Sequence, residues 1–214
     1  PSISTLDANN AFGHAAGFKA IDHSIKIAKK NGISLVAVKN SSHPGAMASM
    51  ALRAARKGLA CFAFTHADSL MLSHNSKRAY FGTNPICFAV PREEKEPYCL
   101  DMATTMISWN KLLIYRGKNK KLNDYFAATK TGQKTKNPKK ANSLIGAGDY
   151  KGYGLASMVE ILCGIYTGMN FGREIPPMYT SSIEKPRQLG QLYISIRIDG
   201  ALSKKSFLKR MQKM

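Results

Sequence analysis

The amino-acid sequence predicts an α/β fold. Two observations lead to this class: residues 33–39 and 59–65 are unbroken apolar runs of strand length, and the segment between them spaces its apolar residues on one helical face until Gly58. A strand, a helix and a strand at this spacing form a βαβ unit, so we expect the two strands to pair in parallel with a right-handed crossover. The 214 residues are enough for one large domain, and we expect residues 1–214 to form a single one.

The N-terminal part is predicted to contain the tail of a strand and one long helix. Residues 1–7 are typical of a strand end. From Gly13 to Asn31 the apolar residues recur at helical spacing and form one stripe of Ala15, Phe18, Ile21, Ile25 and Ala28. Two lysines and then Gly32 follow, as expected at the C-terminal end of a helix.

The rest of the chain is predicted to alternate strands, helices and loops. Strands are expected at 86–90, 98–105 and 191–199. The last of these alternates apolar and polar residues, which is typical of a half-exposed strand. Helices are expected at 107–115, after the glycine-rich segment 146–154 and at the end of the chain. Residues 116–142 form a basic excursion that is long for an ordinary loop.

The net charge of +19 is the unusual feature of the composition. Much of the excess lies in residues 116–140 and in the last helix. Aromatic residues are not interleaved with these cations, as a stacking surface for bases requires. A solvated basic loop and helix face is therefore favoured over nucleic-acid binding, with attraction of anionic ligands as a lesser use.

The cysteines and the hydropathy of the chain indicate the cellular compartment in which it folds. The four cysteines occur singly in apolar surroundings and form no C-x-x-C pair, so we expect buried, reduced thiols in a cytoplasm. No apolar run approaches the roughly 20 residues of a membrane span, and no export leader opens the sequence. We expect a soluble protein that is not exported.

Residues 40–45, Asn-Ser-Ser-His-Pro-Gly, contain the clearest candidate for chemistry. His43 lies between a predicted strand and a predicted helix, at the carboxyl end of the strand, where open α/β sheets place ligands. Imidazole can also take up and return a proton near neutrality, because its ordinary pKa is about 6.5. Periodicity and spacing alone, however, favour a structural histidine at such a position.

Three further segments carry polar groups suited to the same edge. The loop from His66 to Tyr80 leaves its strand at the same edge as His43. Asp101 ends a strand, where an acid can orient a ligand or cap a helix. Lys151 lies among glycines before a helix and can meet a phosphate, although close packing of that helix explains the glycines equally well. The apolar face of this helix is predicted to be Leu155, Met158, Val159, Leu162 and Tyr166.

Taken together, four motifs resemble the malate/L-lactate dehydrogenase family, whose members lack a Rossmann fold. The motifs are Asn40-Ser41-Ser42-His43, Gly82-Thr83-Asn84-Pro85, Asp101-Met102-Ala103-Thr104-Thr105 and Lys151-Gly152-Tyr153-Gly154. They occur in the family's order over nearly the whole chain, which makes the combination specific where each motif alone is not. The resemblance implies an α/β fold with a mixed sheet and helices packed on it.

The resemblance also implies an activity and a set of site residues. It implies an NAD-dependent oxidoreductase, with NADP as the alternative cofactor, acting on a 2-hydroxy acid or the matching 2-oxo acid. It puts the acid/base role on His43. Cofactor contacts are implied at Ala67, Thr83, Asn84, Asp101, Met102, Ala103 and Lys151. No metal is expected, since the spacing of His66, Asp68 and His74 matches no strong metal-binding pattern.

Residues 171–173 and 189–192 resemble the branch of the family that oxidises ureidoglycolate, an intermediate of purine catabolism. Ureidoglycolate is therefore the expected substrate, with malate, lactate, sulfolactate and diketogulonate as alternatives. The family also implies a homodimer or larger homo-oligomer. Its members carry an N-terminal segment with an arginine for the substrate carboxylate, and a further C-terminal segment. We expect this chain to be a fragment of such a protein, or alternatively an inactive scaffold that binds a polyanion.

Overall fold

The computed structural model describes residues 1–182 and 184–214. Its elements are, in chain order, β1 (Ile3–Asp7), α1 (Gly13–Asn31), β2 (Ile33–Ser41), α2 (Ala48–Arg56), β3 (Leu59–Thr65), β4 (Met71–Leu72), β5 (Ala79–Phe81), β6 (Ile86–Val90), β7 (Tyr98–Met102), α3 (Trp109–Gly117), β8 (Ala127–Ala128), β9 (Lys134–Thr135), β10 (Ser143–Leu144), α4 (Tyr150–Glu160), β11 (Leu189–Arg197) and α5 (Lys204–Lys213). A π-helical turn, Ile161–Ile165, continues α4, and a 3-10 turn covers Gly172–Glu174. Among the described helices, none has the length and apolar character needed to cross a membrane.

The larger sheet has the strand order β1-β2-β11-β3-β6-β7. β1 and β2 are parallel and joined through α1, whereas every other neighbouring pair is antiparallel. The expected mixed sheet is thus confirmed. The expected pairing of β2 with β3 is wrong, because β11 lies between them and runs antiparallel to both, with Ile194 opposite Leu35 on one side and Phe62 on the other.

β11 is enclosed on both faces, so the prediction of a half-exposed strand is also wrong. Leu192 and Tyr193, which point to opposite faces, are both 0% exposed. α1 covers one face, and α4 with its π-helical turn covers the other. The polar side chains of the strand are satisfied inside this core: Ser195 lies 2.7 Å from the Ser24 hydroxyl, and the Tyr193 hydroxyl donates to Gln191 Oε1 at 2.6 Å.

The basic excursion folds into a small layer of its own. Its short strands join the second sheet, whose order is β5-β4-β10-β8-β9. Beneath this sheet lies a buried cluster of Ile107, Leu112, Leu122, Ala127, Ala141 and Leu144. Arg116 fastens the layer by donating to the carbonyl oxygens of Pro138 and Ala141, each at 3.0 Å. Most lysines of this segment are exposed, as predicted for a solvated basic face.

The apolar face predicted for α4 is confirmed at Val159 and wrong at Leu155 and Met158. Leu155 and Met158 are 40% and 39% exposed, whereas the buried stripe consists of Gly152, Ala156, Val159 and Cys163. The reason is the close approach of the helix to the sheet: a Cβ at position 152 would collide with the backbone of Ala147 and Thr104. Close packing therefore accounts for this glycine, the alternative that its spacing had left open.

Candidate active site

His43 lies in the loop between β2 and α2, at the edge of the large sheet where β2 ends. Two hydrogen bonds hold this loop against the start of α1: Gly13 N donates to Ser42 Oγ at 2.8 Å, and His14 Nδ1 lies 3.0 Å from the Pro44 oxygen. A Cβ at position 13 would collide with the Ser42 carbonyl group, so glycine permits this close contact. The loop is fixed, while the His43 side chain keeps solvent-accessible surface.

His43 opens onto a cleft of about 800 Å³. The His43 loop and the start of α1 form one wall, and residues from segments 177–182 and 184–187 form the other. Phe12 and Met178 supply apolar surface, and Arg187 supplies a cation. A cleft with apolar walls and a few polar groups at fixed positions is typical of sites for small ligands.

The surroundings of His43 favour the neutral form of its imidazole. The pKa of His43 is lowered from its ordinary value, first because the surrounding protein removes water from the ring and second because Arg187 places a positive charge nearby. The carboxylate of Asp68 acts in the opposite direction. A neutral imidazole at pH 7 can accept a proton, which is the state that a general base requires.

An enclosed ion pair lies beside His43. The side chains of Asp68 and Arg187 are only 6% and 16% exposed, and Arg187 Nη2 donates to Asp68 Oδ1 at 2.7 Å. Met178 N donates to the other carboxylate oxygen at 3.1 Å. Asp68 thus ties Met178 and Arg187 to the loop that leaves β3. Sequence reasoning missed this pair, because its partners are 119 residues apart and no local pattern links them.

The predicted cofactor residues meet at one edge of the large sheet, where β3 and β7 end and β6 begins. Four of them are partly exposed there: Ala67, Thr83, Met102 and Ala103. Met102 stands opposite Ile86 across the β6–β7 pair, and Thr104 N donates to the Thr83 oxygen at 2.9 Å. Ala67 directly precedes Asp68, whose partner Arg187 lines the His43 cleft, so this edge adjoins that cleft.

Asn84 differs from these four residues because its side chain is 0% exposed. Its Oδ1 accepts from Ala67 N at 3.1 Å, and its Nδ2 donates to the Ala156 oxygen at 3.0 Å and to Glu160 Oε2 at 2.6 Å. This amide has no surface left for a ligand, which corrects the expectation of a direct cofactor contact by its side chain. Asn84 instead fixes the backbone at Ala67.

Glu160, in the last turn of α4, stabilises the same sheet edge through buried hydrogen bonds. It is 2% exposed, and its Oε1 accepts from Gly172 N at 2.6 Å. Burial raises the pKa of this carboxyl group, and the hydrogen bonds from Gly172 and Asn84 oppose that change. The network of Glu160 and Asn84 therefore joins α4, the turn before β6 and the loop after β3. No sequence motif pointed to it.

Asp101 and Lys151, the charged members of the predicted cofactor set, are both exposed. Asp101 Oδ2 accepts from Ala48 N at 2.8 Å, so this carboxylate caps the start of α2, as its position had also allowed. Lys151 lies in the first turn of α4, where Asp149 makes no side-chain cap. A cation at an uncapped helix start suits an anion, so these residues fit a phosphate-bearing dinucleotide.

His66 has a structural role. It is 0% exposed, its Nε2 lies 2.9 Å from the Asn170 oxygen, and Gly190 N donates to its Nδ1 at 3.4 Å. Burial lowers the pKa of His66 to about 4. Within residues 1–182 and 184–214, no three His, Cys, Asp or Glu side chains converge to form a site for a metal ion.

The structure belongs to the class of α/β folds built on a mixed sheet. The structure matches sulfolactate dehydrogenase from Methanocaldococcus jannaschii with a TM-score of 0.90 and 30% identity, over 100% of this chain and 61% of that one. The chain belongs to the malate/L-lactate dehydrogenase family, whose sequence model matches residues 1–214.

Two relatives are named for different substrates. Ureidoglycolate dehydrogenase (NAD(+)) of Escherichia coli (strain K12) is 36% identical over 196 residues, which are 92% of this chain and 56% of the relative. Malate dehydrogenase of Pyrococcus abyssi is 33% identical over 224 residues, covering 100% of this chain and 60% of the relative. The chain thus spans 56% and 60% of the lengths of these two relatives.

Proposed function

We propose that this chain carries the catalytic chemistry of an NAD-dependent dehydrogenase that interconverts a 2-hydroxy acid and its 2-oxo acid. The position of His43 carries the proposal. A neutral imidazole opens onto a cleft of about 800 Å³, and the cofactor-side residues gather at the adjoining sheet edge. Membership of the malate/L-lactate dehydrogenase family supports the same reaction class.

His43 acts as the acid/base of this reaction. In the oxidative direction its imidazole accepts the hydroxyl proton as the hydrogen on the same carbon leaves as hydride, and in the reductive direction the imidazolium returns the proton to the oxygen. The nicotinamide, when bound, accepts or donates the hydride. Since His43 retains accessible surface, its proton can exchange with water in the cleft. Such positioned proton transfer typically contributes about 10²–10⁴-fold in rate.

The cofactor-side residues would contact different parts of the dinucleotide. Lys151 and the start of α4 would hold a phosphate, while Thr83, Asp101, Met102 and Ala103 would line the nucleotide along the sheet edge. Asn84 keeps Ala67 in position from below. NAD is the favoured cofactor, because the E. coli relative carries it in its name, and NADP is the alternative.

Ureidoglycolate is the favoured substrate, and the support for it is the 36% identity to E. coli ureidoglycolate dehydrogenase. Malate is the first alternative, supported by the 33% identity to the Pyrococcus abyssi enzyme, and lactate and sulfolactate follow. By analogy with the family, we expect a homodimer or larger homo-oligomer in the cytoplasm.

The proposal is tested by titrating the 214-residue chain with NADH by fluorescence, and then adding ureidoglycolate or malate together with NAD. We expect saturable NADH binding and reduction of NAD, faster with ureidoglycolate than with malate. Binding without turnover of any 2-hydroxy acid would contradict the catalytic role of this chain. Turnover of malate alone would contradict only the substrate assignment.

A further inference from the structure

A second cavity, of about 530 Å³, lies between α3 and the segment that begins with the 3-10 turn. Two arginines and two aromatic residues line it: Trp109 and Arg116 from α3, and Arg173 and Tyr179 from that segment. None of these four belongs to the described wall of the His43 cleft or to the predicted cofactor set. The proposed dehydrogenase reaction therefore leaves this cavity without a use.

Both arginines of the cavity are held in place and keep donors to spare. Arg116 donates from Nε and Nη2 to the carbonyl oxygens of Pro138 and Ala141, each at 3.0 Å. Arg173 donates from Nε to the Ala79 oxygen at 3.1 Å. A guanidinium group carries five N–H donors, so these bonds leave several donors on each arginine for a ligand.

The positive charge at the cavity is not balanced by nearby acids. In the part of the chain that the structure describes, neither arginine has an acid within ion-pair distance. Asp68 also lines the cavity, but its oxygens accept from Arg187 at 2.7 Å and from Met178 N at 3.1 Å. The basic excursion adds lysines around a single acid, Asp124. An anion in this cavity would therefore be stabilised.

The two aromatic residues give the cavity a flat apolar surface. Trp109 is half-buried, and the guanidinium carbon of Arg116 lies 5.9 Å from the centre of its ring. The Tyr179 hydroxyl donates to Asn110 Oδ1 at 2.9 Å, which restricts the position of that ring. Aromatic side chains next to cations are the arrangement on which the bases of nucleotides stack.

We propose that this cavity binds a nucleoside monophosphate, with Arg116 and Arg173 on the phosphate and Trp109 and Tyr179 against the base. The planar fork of a guanidinium matches two phosphate oxygens, and such charge-assisted hydrogen bonds are stronger than neutral ones. Inorganic phosphate would leave the rings unused, and a nucleoside would leave the cations unpaired. The proposal does not depend on the dehydrogenase function, because none of these side chains takes part in it.

The alternative use of the two arginines is purely structural. Arg116 joins α3 to the loop before β10, and Arg173 joins the 3-10 turn to β5. In that case the cavity would be a gap between the two layers. The two uses differ in one observable, since only a binding site gives a saturable response that requires both the phosphate and the base.

The test uses Trp109, the only tryptophan of the chain, as a reporter inside the cavity. Titration of the parent chain with adenosine monophosphate (AMP) should change its fluorescence in a saturable way, and calorimetry should give the same affinity. Adenosine and inorganic phosphate should each bind at least about tenfold more weakly than AMP. Absence of AMP binding by both methods would overturn the proposal.

Two variants separate the phosphate from the base. Arg173→Gln should weaken AMP binding about tenfold and leave adenosine binding unchanged. Tyr179→Ala should weaken AMP and adenosine by a similar factor and leave phosphate binding unchanged. Both side chains are exposed, so the fold should tolerate these changes. Arg78→Gln, an exposed arginine outside this wall, is the control. An equal loss in that control would show a diffuse positive field and contradict the proposal.

The adenosine half of NAD has the same chemistry as AMP, so the source of the ligand needs its own measurement. AMP is titrated by calorimetry with and without saturating NADH, and at a separate site its affinity should change by less than about twofold. Displacement of AMP by NADH would place the cofactor in this cavity and overturn the proposal. A chain that binds AMP in this way, yet neither binds NADH nor turns over hydroxy acids, would support the proposal and contradict only the dehydrogenase function.

Discussion

Two regions of the molecule are built in opposite ways. One is the His43 cleft, and the other is the sheet edge that carries Ala67, Thr83, Met102 and Ala103, which we call the cofactor edge. The cleft is walled by loops, and its polar groups, His43 and Arg187, face open space. The edge is made of strand ends and a tight turn, and its buried polar groups, Asn84 and Glu160, saturate one another. Loops can change without disturbing a core, whereas a saturated buried network tolerates little change. This contrast suits a family whose members are named for different substrates.

Substitutions in the cleft and substitutions at the edge should have different effects. Changes in the cleft should alter turnover and substrate affinity and leave NADH binding intact. Changes at the edge should alter NADH binding or stability and leave the proton transfer itself intact.

His43→Ala should have the largest effect. Without the acid/base, kcat should fall by about 10²–10⁴-fold, while the NADH dissociation constant should stay within twofold of the parent. Steady-state kinetics and fluorescence titration measure the two quantities. His23→Ala, on the exposed surface of α1, is the matched control and should change neither. Retained turnover in His43→Ala would remove the acid/base assignment.

His66, between the two regions, should make stability depend on pH. Its pKa is about 4 in the folded chain and about 6.5 when unfolded, so the unfolded state binds more protons between these values. Stability should therefore be fully present above pH 6.5 and fall by up to about 3 kcal/mol as the pH drops to 4. Denaturant unfolding of the parent and of His66→Gln measures this. An equal pH dependence in both would contradict the assignment.

Asn84→Ala should destabilise the cofactor edge. It leaves Ala67 N and Glu160 Oε2 without their buried partner, at a cost of roughly 1–3 kcal/mol for each group. NADH binding should weaken in the same variant, because the backbone at Ala67 is no longer held. Urea unfolding and NADH titration check both effects. Asn142→Ala, at an exposed position, serves as control, and an unchanged stability of Asn84→Ala would show that the network does not support this edge.

Lys151→Ala should have the smallest effect. A cation at an exposed helix start contributes up to about 1 kcal/mol to the binding of an anion. Its loss should therefore raise the dissociation constant for NADH roughly fivefold. The loss should shrink at high salt because the site is exposed. Lys130→Ala, also exposed, is the control. If Lys151→Ala changed kcat but not NADH binding, the division between the two regions would be wrong.

Local patterns in the sequence predicted the elements that position His43. The bounds of α1 and β3, and the placement of His43 after a buried strand, follow from periodicity and from helix-end residues, which are local signals. The position of β11 was not predictable in this way. Its alternating pattern indicates one exposed face, but insertion between β2 and β3 buries both, and its serine and glutamine side chains bond within the core.

The site was predictable to the extent that it depends on motifs. His43 and the exposed edge residues came from motifs and a family resemblance. Arg187, Asp68 and Glu160 did not, because their roles depend on contacts between distant loops. Arg187 does stand directly before the Gln-Leu-Gly-Gln segment, and an arginine next to a strand that neighbours the His43 strand is the one signal that could have drawn attention to it.

The most direct test of the central claim is the pH dependence of kcat/KM for hydroxy-acid oxidation by the parent chain at saturating NAD. Because burial and Arg187 lower the pKa of His43, the rate should fall on the acidic side with a midpoint below 6.5, and this limb should be absent from the residual activity of His43→Ala. A midpoint above 6.5, or an acidic limb that survives in His43→Ala, would contradict the assignment of His43 as the general base.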